Sequence, residues 1–262
     1  MTVYDPFEEL ALFYDPIMEH VDYARWFDIT TLLAEKLLPQ KVRSLDAACG
    51  TGTLLHMFKE LQWESYGFDL SPAMLKTAKR LYPEVPLYQG DLRALPFHET
   101  FDCITCLFDS VNFILDEDGV LATIDSFYSA LKPGGMLYFD IVTERMVTRH
   151  FAGQDWTEQN DGFSTRWTSS FDRSSAIAAT TVRVNSMKAA IIKERIFPTR
   201  LFEDGLQQAG FTTFAVVDVN NWRQPGRRTT RIDFVAIKQP TSRQHNAYAH
   251  LEPVLIDYHR HH

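Results

Sequence analysis

The sequence is short of the features that define several protein classes. Only three cysteines, Cys49, Cys103 and Cys106, stand among 262 residues, too few and too irregularly placed for a disulfide framework. They sit in apolar or glycine-rich stretches, which points to a reducing compartment. No apolar run approaches the roughly 20 residues that span a bilayer, and the opening MTVYDPFEEL lacks the basic and apolar regions of a signal peptide. A cytoplasmic location without a membrane partner is the expectation. Positive charge is scarce too: 26 Lys and Arg face 34 Asp and Glu, a formal charge of -8. A nucleic-acid partner is therefore disfavoured, because binding to a phosphate backbone draws most of its affinity from cations. Internal repeats and low-complexity segments are missing as well.

What is present is a chain with 45% hydrophobic residues, enough for one sizeable core and a small insertion. Apolar spacing predicts helices over 5–18 and 22–38, the second opening at the capping residue Asp22. From Val42 onward, short β-rich runs alternate with helical ones: strands at VRSLDA, SYGFD, PLYQG, CITCLF and MLYFDIV, helices at GTLLHMFKEL, PAMLKTAKRLY and DEDGVLATIDSFYSAL. That alternation predicts an α/β fold with a doubly wound, mostly parallel sheet. Residues 154–197 break the pattern with period-2 alternation and Ser- or Asn-containing turns, and read as a small antiparallel β insertion. PTRLFEDGLQQAG then returns to helix and stops at Gly210. FTTFAVVDV and RTTRIDFVAI follow as an antiparallel pair. The expected organisation is a helical lid over 1–40, a cofactor-binding core over 41–153, the insertion over 154–197 on the acceptor side or at an oligomer contact, the rest of the core over 198–240, and a peripheral tail over 241–262 prone to disorder.

The most informative stretch is VRSLDAACGTGTLL, residues 42–55. An apolar strand, an acid, and small residues at 47, 48, 50 and 52 open a helix, so a ligand can approach the backbone and meet free N–H groups. A dinucleotide loop would read GxGxxG, but the matching positions are Ala48, Gly50 and Thr53, and two of its three glycines are absent. Nineteen residues after Gly50, Asp69 closes the second strand, where a carboxylate can accept bonds from ribose hydroxyls. Asp91 follows the third strand in YQGDLRALPF, and LKPGGMLYFDI supplies a tight turn before the fifth.

Asp46-x-Ala48-x-Gly50-x-Gly52 resembles motif I of the class I S-adenosylmethionine-dependent methyltransferases, with Ala48 in place of the first glycine. The resemblance runs through residues 42–142. It implies a seven-stranded sheet with a reversed last strand, S-adenosylmethionine as cofactor, and a loop of Ala48 and Gly50 around its methionine part. It further implies Asp69 at the ribose, Asp91 and the neighbouring Leu92 at the adenine edge, and Leu70 and Met74 on the faces of the base. The N-terminal FYDPIMEHVDYARW together with CLFDS is similar to small-molecule N-methyltransferases of the glycine N-methyltransferase and amino-sugar type. That similarity implies Tyr14 and Trp26 near the methionine end of the cofactor, with helix packing as the plain alternative for both.

The acceptor is expected outside the carboxyl ends of the strands, where CLFDSVNFI leaves strand four. Phe108, Asp109, Ser110 and Asn112 are the candidates there. Asp109 would orient a cationic amine or take its proton, and Phe108 would pack near the sulfonium; a turn cap and a core aromatic are the competing readings. Tyr14 and Asp109 form the catalytic pair of this reading. His20 is the only histidine near the expected lid. Trp156, Phe163, Trp167 and Phe171 would line an acceptor pocket, or else pack against the main sheet or a second subunit in a homodimer. Cys103 and Cys106 read as core, and Arg223, Arg227, Arg228 and Arg231 as a solvated basic face. The expectation is methyl transfer to a small-molecule amine, with oxygen or carbon acceptors and a non-catalytic cofactor-binding protein as rivals; no metal is expected.

Overall fold

A computed structural model describes residues 5–261. Seven strands form the main sheet: β1 (Arg43–Ala47), β2 (Glu64–Asp69), β3 (Leu87–Gln89), β4 (Phe101–Cys106), β5 (Leu131–Val142), β10 (Phe211–Asp218) and β11 (Arg231–Lys238). Their order is β10-β11-β5-β4-β1-β2-β3. The pairs among β1 to β5 are parallel, and β11 runs antiparallel to both neighbours. The doubly wound sheet with a reversed last strand is thus observed. Order reverses beside β1, which opens a crevice at the carboxyl ends of β1 and β4.

Helices cover both faces. On one, α5 (Glu117–Ala130) and α7 (Thr199–Ala209) bury Ile124, Phe127, Phe202 and Leu206 against Phe139 and Phe234. On the other, α2 (Tyr23–Leu37) and α3 (Thr53–Glu60) bury Ile29, Leu33, Leu54 and Phe58 against Tyr138 and Val235. Asp22 caps α2 by accepting from the Arg25 N–H at 3.0 Å, and α7 ends at Gly210 with φ +99°. Cys103 and Cys106 are buried free thiols in the sheet, and burial raises both above the ordinary thiol pKa.

A second sheet, β6 (Asp155–Asn160), β7 (Phe163–Asp172), β8 (Ile177–Val184) and β9 (Ala190–Arg195), is antiparallel throughout. It is entered from β5 through α6 (Glu144–Met146) and one π-helical turn over Val147–Phe151, neither of which the sequence announced.

Two expectations about the ends of the chain are overturned. Residues 5–13 form turns, and helix α1 covers only Tyr14–Ile17. The side chains of Asp5 and Asp15 are drawn to Ser71 and Thr51 on the main domain, at 2.6 and 2.5 Å, while Leu10 and Ile17 pack on the second sheet. A single amphipathic helix cannot satisfy both directions. At the other end, residues 242–261 are not a loose tail. They form α8 (Ser242–His261), whose Tyr248, Leu251 and Leu255 enter the core beside α2. Gln244 Nε2 fixes its start by donating to the Leu37 and Gly134 carbonyls at 2.9 and 2.8 Å.

Within the β5–β11 ladder, Asp140 and Asp233 face each other as register partners, and both are fully buried. Asp233 accepts one bond, from the Tyr138 hydroxyl at 2.8 Å. Burial, reinforced by Asp140, pushes its pKa up to about 7. Because the folded value lies above the unfolded one, the folded state holds an extra proton between about pH 4 and 7, and stability falls as pH rises through that window. Asp233→Asn is therefore expected to melt close to wild type at pH 5 and several degrees higher at pH 8. Thermal scans at the two pH values check this, and a constant difference between the variants would contradict it.

Candidate functional site

The crevice opens into one cavity of about 1460 Å³. Its floor is the β1–α3 loop. The loop turns on three left-handed residues, Ala48 (φ +62°), Gly50 (φ +55°) and Gly52 (φ +87°), the last being the N-cap of α3. Ala48 accepts a conformation that costs a Cβ-bearing residue energy, and its N–H is held by the Phe68 carbonyl at 2.7 Å. A Cβ built on Gly50 would meet no atom within 4 Å, so this position faces open space. Asp46, one turn earlier, is buried and accepts from Thr105 Oγ1 at 2.8 Å; burial pushes its pKa up to about 7.

Asp69 links this loop to the next. Its two carboxylate oxygens accept the N–H groups of Gly50 and Ser71, each at 2.8 Å. Burial raises its pKa while these two bonds oppose the rise. Each oxygen keeps a further lone pair for a ligand hydroxyl. Met74 is buried in the wall, whereas Leu70 stands 61% exposed at the mouth. Asp91 and Leu92 line the same end. Asp91 accepts from the Arg93 backbone N–H and side-chain Nε, both at 2.9 Å, and this bond with Arg93 lowers its pKa.

The opposite end is built by the β4 exit, residues of the segment 14–26 and the inserted sheet. Phe108 and Asp109 are consecutive left-handed residues, φ +60° and +51°, a strain that functional sites tolerate when the surroundings hold it. Phe108 packs at 5.8 Å on Trp26 and at 6.4 Å on Tyr23. Tyr14 lines the cavity together with Tyr23. Burial and the nearby Tyr23, Asp109 and Asp69 raise its pKa well above the phenol value, so it stays neutral. The Trp26 indole nitrogen is buried on this wall without a hydrogen-bond partner. Ser110 also lines the cavity and donates to the Leu107 carbonyl at 2.8 Å.

Asp109 is not a free carboxylate. Arg231 Nη1 lies 2.8 Å from its Oδ1 and also pairs with the fully buried Asp140. The guanidinium sits 5.4 Å from the Phe108 ring and 5.6 Å from Trp26. Arg231 therefore does not belong to a solvated basic face; Arg223, Arg227 and Arg228 are the exposed members of that group. Glu194, from β9, lines the same cavity and adds a third acid to this cluster. Burial and the Asp109 charge raise its pKa well above the ordinary carboxylate value.

Three sequence candidates fall outside the cavity. Asn112 is fully buried: its amide donates to the Arg195 carbonyl at 2.9 Å and accepts the Val142 N–H at 3.1 Å. It clasps the inserted sheet to the core instead of touching a ligand. Phe163 packs on Phe13 at 4.9 Å, and Phe171 joins Val142, Val147 and Ile196. Trp156 and Trp167 do line the cavity, as does His20. Among the described residues no group of His, Cys, Asp and Glu is arranged to hold a metal, and no helix is long and apolar enough to cross a membrane.

Residues 45–135, which carry the loop, Asp69 and Asp91, match the family model described as a methyltransferase domain. The chain carries a methyltransferase domain. The chain is 29% identical over 246 residues to the Bacillus subtilis protein YqeM, itself only provisionally named a methyltransferase, covering 90% of this chain and 98% of that one. It is 33% identical over 116 residues to the Streptomyces venezuelae dTDP-3-amino-3,4,6-trideoxy-alpha-D-glucopyranose N,N-dimethyltransferase, covering 44% of this chain and 49% of that enzyme. Its fold superposes on a crystal structure of an S-adenosylmethionine-dependent methyltransferase from Clostridium acetobutylicum with a TM-score of 0.76 at 24% identity, covering 89% and 99% of the two chains.

The cradle suits this cofactor: open space over Gly50, unused lone pairs on Asp69 and an unpartnered indole N–H. Asp69→Ala is expected to weaken S-adenosylmethionine binding by about 1.5 to 3 kcal/mol, the range for hydrogen bonds to a charged group, with the fold retained. Calorimetry showing unchanged affinity would remove Asp69 from the cofactor site.

Proposed function

We propose that the enzyme transfers the methyl group to the amine nitrogen of a small molecule. The carrying observation is that Asp109 and Glu194 both line the cavity where the β4 exit meets the inserted sheet, with Arg231 as the cation beside Asp109 at 2.8 Å. Bound S-adenosylmethionine supplies a methyl group on a sulfonium, so the chain itself must align an acceptor and free its lone pair. An amine is protonated near neutral pH and cannot attack until it loses that proton. Arg231 is one cation facing three acids, Asp109, Asp140 and Glu194, so the cluster has an excess of acidic groups. It attracts an ammonium and can accept its proton. The freed nitrogen would then take the methyl carbon that S-adenosylmethionine, held by Ala48, Gly50 and Asp69, would supply, with the electron pair of the carbon–sulfur bond left on sulfur.

In this reading Ala48, Gly50, Asp69, Leu70, Met74, Asp91 and Leu92 hold the cofactor, while Tyr14, Trp26 and Phe108 enclose its reactive end. Ser110 and Phe108 flank the acceptor beside Asp109. The amino-sugar relative adds support, since its name specifies N-methylation.

The test is incubation with methyl-labelled S-adenosylmethionine and separate pools of amines, phenols and carbon acids. Label on an amine supports the reading. Label only on oxygen or carbon overturns it, and tight cofactor binding without transfer to any pool would leave a non-catalytic binding protein. With an accepted amine in hand, Asp109→Asn is expected to reduce turnover on the order of 10²-fold while cofactor affinity stays within about threefold. Parallel losses of both would move Asp109 into the cofactor site.

A further inference from the structure

We infer that the acceptor compartment takes a compact ammonium joined to a flat apolar body, and that it excludes an acceptor carried on a nucleoside diphosphate. This rests on the reading that places the acceptor beside Asp109 and Glu194, and it departs from the amino-sugar relative, whose name specifies a dTDP-linked substrate.

The cavity of about 1460 Å³ exceeds the roughly 300–1,000 Å³ usual for one small-molecule ligand, so it has room for a second molecule beside the cofactor. That extra space is bounded by one face of the inserted sheet. Strand register places Trp156 opposite Trp167 and Thr180 opposite Ile192, with Glu194 two residues further along β9. All five line the cavity. Alternate residues of a strand share a face, so these side chains form a continuous wall with the carboxyl group at one end and the two indoles at the other. The indoles are parallel within 1° at a centroid distance of 5.5 Å. The Trp167 indole N–H is already donated to Thr165 Oγ1 at 3.0 Å, so what the ring offers a ligand is its apolar face. Such a platform suits the body of a ligand whose cationic end reaches Glu194 and Asp109.

Charge selects against phosphate. The lining holds eight Asp or Glu (5, 46, 69, 91, 109, 116, 158 and 194) and three Lys or Arg (93, 193 and 231). Arg93 is spent on Asp91, and Arg231 on Asp109 and Asp140. Among the described lining residues, Lys193 is the one cation not paired with a carboxylate in this way, and recognition of a diphosphate ordinarily needs several converging donors. The N-terminus of α3, the other anion-compatible element, belongs to the cofactor loop.

The experiment titrates protein saturated with S-adenosylhomocysteine, first with phenethylammonium and then with dTDP, following heat or indole fluorescence. Saturable binding of phenethylammonium, with dTDP at least about tenfold weaker, is expected. Trp156→Leu and Trp167→Leu keep apolar bulk in the strands but lose the aromatic face. Each should weaken phenethylammonium about fivefold or more while S-adenosylhomocysteine affinity, which also reports the fold, is unchanged. Tighter binding of dTDP, no phenethylammonium binding at 10 mM (about the weakest detectable range), or unchanged binding in both variants would overturn the inference. Methyl transfer to a phenol oxygen with phenethylammonium binding intact would instead overturn the amine reaction and leave the pocket assignment standing.

Discussion

Arg231→Met is expected to abolish turnover and to destabilise the fold by about 3 to 5 kcal/mol, the usual consequence of removing one partner from a buried ion pair. The guanidinium side chain is 12% exposed and touches two carboxylates, Asp109 at 2.8 Å and the wholly buried Asp140. Burial pushes the Asp140 pKa up to about 6, with Arg231 holding it below where burial alone would take it. Without Arg231 the nearby Asp109, Asp140 and Glu194 would share one low-dielectric pocket with no cation among them. Two would have to take up protons or admit water. Phe108 and Trp26 would lose the planar group they pack around, and the left-handed backbone at Phe108 and Asp109 would lose a constraint that offsets its strain. Denaturant unfolding checks the first half and single-turnover kinetics the second. Arg231→Met combined with Asp140→Asn should recover much of the lost stability but little activity, because Asp109 remains unbalanced. An unchanged denaturation midpoint in the single variant would refute the buried pair.

That cluster also shows where sequence reasoning stopped. Residues 42–55 were legible because small side chains concentrated at a strand-to-helix turn have few explanations besides a ligand, and Asp69 followed at the spacing of a second strand. The alternation of residues 154–197 disclosed the inserted sheet for a similar reason, since period 2 cannot be confused with a helix over several runs. Arg231 was obscured by its neighbours: three exposed arginines nearby made it look like a fourth. The usable signal lay in its partners. Asp140 in YFDIV and Asp233 in RIDFV interrupt strands that are otherwise apolar, and a buried acid calls for a cation or a proton. Glu194 carried no such mark, because an alternating strand permits a charge on its outer face, and only the packing of the sheet over the crevice turns that face inward. Asn112 had the right position at the β4 exit but points the other way, into the clasp between Val142 and Arg195. In α8, Tyr248, Leu251 and Leu255 keep a helical spacing that Pro253 and the polar residues around it concealed. Contacts from residues 5–13 to two different sheets overrode an apolar period that a helix would have satisfied.

Gly50→Val is expected to reduce S-adenosylmethionine affinity by at least about 100-fold while the protein still folds. Two effects add. At φ +55° a β-branched residue is a steric outlier, and the left-handed conformation costs roughly 1–2 kcal/mol for a Cβ-bearing residue. Relaxing that strain means rotating the loop, and rotation breaks the 2.8 Å bond from the Gly50 N–H to Asp69, which ties the loop to the second strand. If the loop instead holds its shape, the two methyl groups project into the space that the Cβ position shows to be open, which is where the ligand must lie. Either way the cradle is lost, through backbone movement in one case and occupied volume in the other. Gly50→Ala separates the two, since its single methyl has room and carries most of the backbone penalty but little of the steric block. Its affinity loss should be below about tenfold, consistent with roughly 1 kcal/mol of strain. Calorimetry with S-adenosylmethionine and S-adenosylhomocysteine, alongside a melting curve for each variant, distinguishes the cases. Valine binding within threefold of wild type would mean that the open space above Gly50 is not where the cofactor sits.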